Sequence, residues 1–119
     1  MTIEADVHAA IAAVCPRVFA VLAPLGAARP YVTVQNVGGQ PTYWLDRTPS
    51  DKRVLRLFVK SWANSKTEAL ALARQVEAAM MAATAFTARV ESELLDDVET
   101  DAEPWLYSEL QEFVVIGPR

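Results

Sequence analysis

The chain has 119 residues, 52% of them hydrophobic and 22% charged, and it carries a net charge of −4. This length fits one domain, residues 1–119, and the composition excludes a disordered chain. No apolar run approaches the roughly 20 residues that span a bilayer. The N-terminus is acidic, with Glu4 and Asp6, where a signal peptide is basic. We therefore expect a cytosolic protein that has no membrane partner.

The first predicted element is a helix over residues 3–14. Its apolar residues recur at helical spacing, and Thr2 can cap its start. Pro16 ends it, because the residue before a proline avoids helical geometry. Residues 17–23 are apolar and fit either an extended segment or one short turn.

Two strands are predicted in the middle of the chain, over residues 31–37 and 53–62. Residues 38–52 are predicted to form a long, partly open connection that contains a short strand at 42–45. Helices are expected on the aliphatic face of the second strand, and its other face is either solvated or a contact surface. The aliphatic face has Leu55, Leu57 and Val59, and the other face has Arg56, Phe58, Lys60 and Trp62.

The C-terminal half of the chain predicts a helix and two more strands. Ser65 and Glu68 form a capping box at the start of an amphipathic helix. Residues 86–94 alternate as a strand, residues 96–104 are predicted to form an acidic loop, and a last strand covers residues 106–116. The predicted fold is α+β: a mostly antiparallel sheet of four to five strands with two helices packed on one face.

No group of residues has the pattern of a catalytic, metal or cofactor site. His8 and Cys15 are separated by roughly two helical turns, or about 10 Å, which is too far for direct proton transfer. Cys15 lies in an apolar stretch and is expected to be buried. The acidic residues after Asp96 lack the glycine and the ligand spacing of a calcium loop. We therefore expect no enzyme activity, no metal and no cofactor.

Charge is unevenly distributed along the chain. Nine of the fifteen acidic residues lie between Glu91 and Glu112, and seven of the eleven basic residues lie between Arg29 and Lys66. Two interpretations remain open: two ordinary solvated faces, or a head-to-tail interface in which the basic face of one copy meets the acidic face of the next. The basic cluster is modest in an acidic chain, so we expect no sequence-specific nucleic-acid partner.

Four segments carry a family resemblance through their order and spacing. They are Pro30-Tyr31-Val32, the strand Val54–Trp62, the helix Thr67–Met81, and Trp105-Leu106-Tyr107, which leads into a strand. Together they resemble the tail completion, or tail terminator, proteins of long-tailed bacteriophages and prophages. The resemblance extends from the N-terminal helix to the last strand.

The resemblance implies a structural protein that caps the tail tube, ends its polymerisation and presents a surface for head–tail joining. It further implies a ring of copies, typically a hexamer on the tube, even where the isolated chain is a monomer. The implied partners are other copies, the major tail tube protein and a head-completion or connector protein. The implied locations are the bacterial host cytoplasm during assembly and the head-proximal end of the tail in the virion.

We expect the ring contacts to use the charged clusters and two tryptophans. Segments 38–52 and 96–104 could order on assembly. Trp44 and Trp105 are candidate anchors because tryptophan is enriched in interface hot spots, and packing at the edge of the core is the alternative for both. The basic candidates are Arg47, Lys52, Arg53, Arg56 and Lys60, and the acidic candidates are Asp96, Asp97, Glu99, Asp101 and Glu103.

Two other functions remain open from the sequence. One is a head–tail connector or another minor tail component, which would share this composition and differ in its location in the particle. The other belongs to a different class: a small α+β ligand-binding or regulatory domain that dimerises through its sheet. A small molecule that copurifies with the protein would favour the second.

Overall fold

The computed structural model describes residues 2–40, 45–46 and 51–118, and it has two helices that pack on a six-stranded sheet. The α+β class is confirmed, and the sheet has one strand more than the upper number expected. In chain order the elements are α1 (Ile3–Ala12), β1 (Val18–Ala20), β2 (Tyr31–Gln40), β3 (Lys52–Ala63), α2 (Lys66–Ala82), β4 (Thr87–Val90), β5 (Leu95–Glu99) and β6 (Leu106–Pro118).

The sheet is centred on the two long strands β3 and β6. Its order is β1-β2-β3-β6-β4, and β5 also pairs with β6. All pairs are antiparallel except β1 with β2. Strand β4 pairs with residues 113–116 of β6, and β5 pairs with residues 106–110. Both lie on the side of β6 away from β3, so β5 is an edge strand over one half of β6.

Side-chain caps start both helices, as the sequence predicts. The hydroxyl of Thr2 accepts a hydrogen bond from the amide of Ala5 at 3.2 Å, and the hydroxyl of Ser65 accepts one from the amide of Glu68 at 3.2 Å. These bonds satisfy amides that have no partner inside the first helical turn. Neither α1 nor α2, the helices of the described residues, is long and apolar enough to cross a membrane.

Both helices cover the same face of the sheet and form one hydrophobic core with it. Alternation along β3 buries its aliphatic face against the helices, as predicted. Each buried leucine, isoleucine or phenylalanine contributes about 1.5–3 kcal/mol. The helices supply Ile3, Val7, Ile11, Leu72, Val76 and Met80, and the strands supply Leu55, Leu57, Val59, Phe113 and Val115.

The predicted acidic loop over residues 96–104 is wrong in its first half, because Leu95–Glu99 forms β5. All five residues of β5 are exposed, so no hydrophobic alternation marks them in the sequence. Backbone pairing with β6 outweighs the low strand propensity of aspartate. The loop between β5 and β6 is therefore confined to residues 100–105.

Two other predicted strands have different ends in the structure. The strand predicted over residues 86–94 stops at Val90, and the hydroxyl of Ser92 then accepts a hydrogen bond from the amide of Glu112 at 3.1 Å, where strand pairing has ended. The strand predicted over 31–37 extends to Gln40 through a register shift between Asn36 and Gly39.

Residues 17–23 and 42–45 are the two other segments whose structure the sequence predicts. Of residues 17–23, Val18–Ala20 forms β1, so the extended alternative is the correct one there. Leu45 and Asp46 lie in a turn, and the rest of the short strand predicted at 42–45 lies outside the described residues.

Candidate interaction surface

The face of the sheet opposite the helices contains a broad trough with a volume of about 660 Å³. Alternate residues of β2, β3 and β6 form its floor, because residues of odd and even number point to opposite faces of a strand. The loop after β1 borders the trough on one side, and the end of β5 with the loop that follows borders it on the other. The floor comprises Tyr31, Thr33, Gln35, Phe58, Lys60, Trp62, Leu106 and Leu110.

Aromatic side chains form a row on this floor and beside it. The rings of Tyr31 and Trp62 stack with centroids 5.9 Å apart, and Phe19 meets Tyr31 edge-on at 5.9 Å. The indole nitrogen of Trp62 donates a hydrogen bond to the hydroxyl of Thr33 at 3.1 Å, and the ammonium of Lys60 lies 4.5 Å from the Trp62 ring centroid. Burial raises the pKa of Tyr31. These contacts order the aromatic row in the isolated chain.

The rim after β1 exposes apolar side chains. Leu22 is 80% exposed and Leu25 is 106% exposed. Val21 adopts φ 66°, a left-handed conformation that is rare for a β-branched residue and costs about 1–3 kcal/mol. Its amide nevertheless donates to the carbonyl of Val34 at 2.8 Å. The loop is therefore pinned to β2 in a strained shape that leaves two leucines in solvent.

Many of the charged candidate residues pair within the chain. The fold brings opposite charges together from separate parts of the sequence: β3 with α1, β3 with β6, β3 with β5, and α2 with β5. The pairs are Arg53 with Glu4 at 2.8 Å, Arg56 with Glu112 at 3.2 Å, Lys60 with Asp97 at 3.7 Å, and Lys66 with Asp96 at 3.0 Å. The interface that the sequence predicts between copies stays a prediction.

The other candidate residues lie at three places. Lys52 is exposed at the start of β3, and Glu99 and Asp101 line the trough. Glu103 is exposed in the following loop, beside Trp105, which is 50% exposed. Arg47 and Trp44 lie outside the described residues.

One arginine attaches the loop between β5 and β6 to the rest of the fold. The Nη1 atom of Arg29 donates to the carbonyl of Pro104 at 2.9 Å and to Oδ1 of Asn64 at 3.0 Å. Arg29 therefore positions Trp105, whose own carbonyl lies 3.4 Å from the same nitrogen.

Sequence reasoning missed a buried acid. Glu109 is 1% exposed, and within the described residues neither carboxylate oxygen has a hydrogen-bond donor. Burial, together with the neighbouring Asp96, raises its pKa to about 7. Alternation along β6 could have revealed it, because Glu109 has the same parity as the core residues Phe113 and Val115.

The chemically reactive side chains are dispersed. His8 is exposed on α1, and Cys15 is buried with its sulfur 3.8 Å from the carbonyl of Arg17. Among the described residues, no group of three or more His, Cys, Asp or Glu side chains could hold a metal ion. The trough combines aromatic side chains with exposed leucines, the kinds of side chain that are found in contacts between proteins.

Comparison with known proteins places the chain among the structural proteins of the phage tail. Residues 4–114 match the family Tail completion protein gp17, so the chain belongs to that family. Among curated proteins, none matches the chain. The resemblance stated from the sequence is thereby confirmed, together with a structural role in the tail and a location in the virion.

Proposed function

We propose that the protein caps the tail tube as a ring, ends tube polymerisation and presents a surface for joining to the head. The observation that carries this proposal is the trough on the helix-free face, with its ordered aromatic floor and exposed leucine rim. Family membership supports a role in the tail, and the trough supports a role that works through contact between proteins. The protein then has no catalytic task.

The trough has the features of a preformed binding surface. Its aromatic row is already ordered, so a partner loses little side-chain entropy there when it binds. Covering Leu22 and Leu25 would contribute about 1.5–3 kcal/mol for each side chain that becomes fully buried. The strain at Val21 is a cost that a contact on this rim would offset. The partners proposed here are neighbouring copies and the major tail tube protein.

Charges around the trough are proposed to set the orientation of neighbouring copies. Arg56 is 53% exposed and Asp97 is 55% exposed in their pairs. Their partners Glu112 and Lys60 are 25% and 27% exposed, so each pair is partly in solvent and contributes on the order of 1 kcal/mol, which pairs between copies can replace. Arg53 differs, because its pair with Glu4 holds α1 to the sheet. This makes Arg56 and Lys60 the more informative interface candidates.

A complementation experiment tests the trough. A phage that lacks this gene receives it in trans, either as the Leu22→Glu variant or as a matched control, Met81→Glu. Met81 is 56% exposed on α2, on the opposite face. We expect Leu22→Glu to leave the fold intact and to abolish joined particles in electron micrographs, while Met81→Glu supports them. Equal numbers of joined particles with both variants would contradict a role for the rim.

A charge-swap experiment separates contact between copies from pairing within the chain. Arg56→Glu is compared with the double variant Arg56→Glu/Glu112→Arg, which restores the internal pair with its direction reversed. If Arg56 contacts a neighbouring copy, both variants fold and both fail to assemble. If the double variant assembles normally, Arg56 serves only its own chain.

A further inference from the structure

The buried carboxyl of Glu109 faces a second carboxyl across the β5–β6 pair. Asp96 and Glu109 are directly opposite each other in the strand register, so their side chains point to the same face of the sheet. Both line a cavity of about 330 Å³ together with Lys66, Val98 and Tyr107. Glu109 is buried and Asp96 is exposed, so a negative charge on Asp96 beside it disfavours ionisation of Glu109.

The surroundings of Glu109 offer only partial compensation for a negative charge. On its helix-facing side, β5 supplies Asp96, α2 supplies Lys66, and β3 supplies the uncharged Ser61. The ammonium of Lys66 lies 3.0 Å from Asp96, and both side chains are more than 60% exposed. Lys66 pairs with Asp96, and burial together with the neighbouring Asp96 charge favours the protonated form of Glu109.

Strand β5 is the part of the sheet that can open when Glu109 becomes charged. Its five residues are all exposed, and within the described part of the chain its only strand partner is β6. Few buried contacts hold it, which is the property of a segment that opens locally at low cost. By contrast, β4 pairs with the same edge of β6 and anchors the buried Ala88 in the core.

We propose that β5 is a proton-controlled strap over the edge of β6: it stays attached while Glu109 holds a proton and detaches when that proton is lost. Detachment admits water to the carboxylate and separates it from Asp96. It also leaves residues 106–110 of β6 without a strand on that side. The proposal stands independently of the role in the tail, because it concerns only contacts within the chain.

Hydrogen exchange of the intact protein at two pH values tests the proposal, with rates corrected for the intrinsic effect of pH. The Glu109 pKa of about 7 in the attached state and 4.5 in the detached state predicts an opening equilibrium about 30-fold larger at pH 8.5 than at pH 5.5. We expect this increase in the amides of β5 and residues 106–110. The amides of β4 serve as an internal control and should not change.

The Glu109→Gln variant supplies the matched comparison. It keeps the shape of the side chain without the titration, and it should show the same protection of β5 at both pH values. Equal loss of protection in β4 and β5, or the same pH response in Glu109→Gln, would overturn the proposal. Should that variant not fold, a carboxyl NMR titration of Glu109 in the unaltered protein decides, since a value near 4.5 excludes the strap.

Discussion

Arg53 donates two hydrogen bonds to Glu4, at 2.8 and 3.1 Å, and so joins β3 to the first turn of α1. The two residues are 49 positions apart in the sequence and lie on the side of the sheet that the helices cover. Its geometry, with two parallel bonds, is the strongest form of an arginine–carboxylate pair. The finding changes how Arg53 is to be tested, because reversing its charge would remove a contact within the chain as well as any contact between copies.

We predict that Arg53→Met lowers the free energy of unfolding by under about 1 kcal/mol, since both partners are partly exposed. The hydrogen bond with Arg53 lowers the pKa of Glu4 below 4.5. The stabilisation by this pair is therefore fully present above about pH 4.5, and it is lost as the pH falls through the lowered pKa of Glu4 in the folded protein. Urea unfolding at pH 7 and pH 3 measures the difference. An equal effect of Arg53→Met at both pH values would contradict this assignment.

Glu109→Gln is predicted to stabilise the protein at pH 8. The pKa of Glu109 is raised from 4.5 in the unfolded chain to about 7 in the folded protein. Because the unfolded chain loses this proton at a lower pH, the free energy of unfolding of the wild-type protein falls as the pH rises from about 4.5 to about 7. We expect a gain of about 1–3 kcal/mol at pH 8 and little gain at pH 4. Urea unfolding of both proteins measures it, with Glu93→Gln as an exposed control. A loss of stability at pH 8 would show that the carboxylate has a cationic partner.

Gly39→Ala is predicted to destabilise the β2–β3 pair strongly. A Cβ atom at Gly39 would clash with the backbone carbonyl oxygen of Val54, and φ is +142°. Both the close approach and the backbone conformation require glycine. We expect a loss of at least about 2 kcal/mol in thermal or urea unfolding.

Gly38 provides the matched control for that substitution. It also has a positive φ, +119°, but a Cβ there meets nothing within 4 Å. Gly38→Ala should therefore show the conformational cost alone, about 1–3 kcal/mol, and less than the loss for Gly39→Ala. Equal losses for the two variants would mean that the contact with Val54 has no effect.

Arg29→Lys is predicted to loosen the loop of residues 100–105. Nη1 of Arg29 donates to both Pro104 and Asn64, and the shorter, more flexible lysine side chain does not place its ammonium at that point. We expect about 1 kcal/mol of destabilisation and faster hydrogen exchange confined to this loop. Unchanged exchange there would show that the loop is held by other contacts.

The sequence was most informative where burial and periodicity agree. Alternation along β3 predicted which face the helices cover, and Ser65 predicted the start of α2, because both signals arise from strong local physics. The strand character of β5 could not be predicted in the same way. Its Asp96 and Asp97 disfavour strands, and pairing with a distant part of the chain decides the outcome.

The candidate site was predictable only in part. The aromatic and basic face of β3, with Phe58 and Trp62, was identified as either solvated or a contact surface, and it forms the floor of the trough. The rim residue Leu22 carries no pattern of its own, because its exposure depends on the strained turn at Val21. Pairing of Lys60 with Asp97 depends on which strands become neighbours, and composition does not contain that information.

We propose that this protein ends growth of the tail tube, and the length distribution of tubes made without it measures this role. Electron micrographs of lysates from a phage lacking the gene give that distribution, with the gene supplied in trans as the control. The account predicts tubes well beyond normal length, together with heads that carry no tail. Tubes of normal length in the absence of the protein would contradict it.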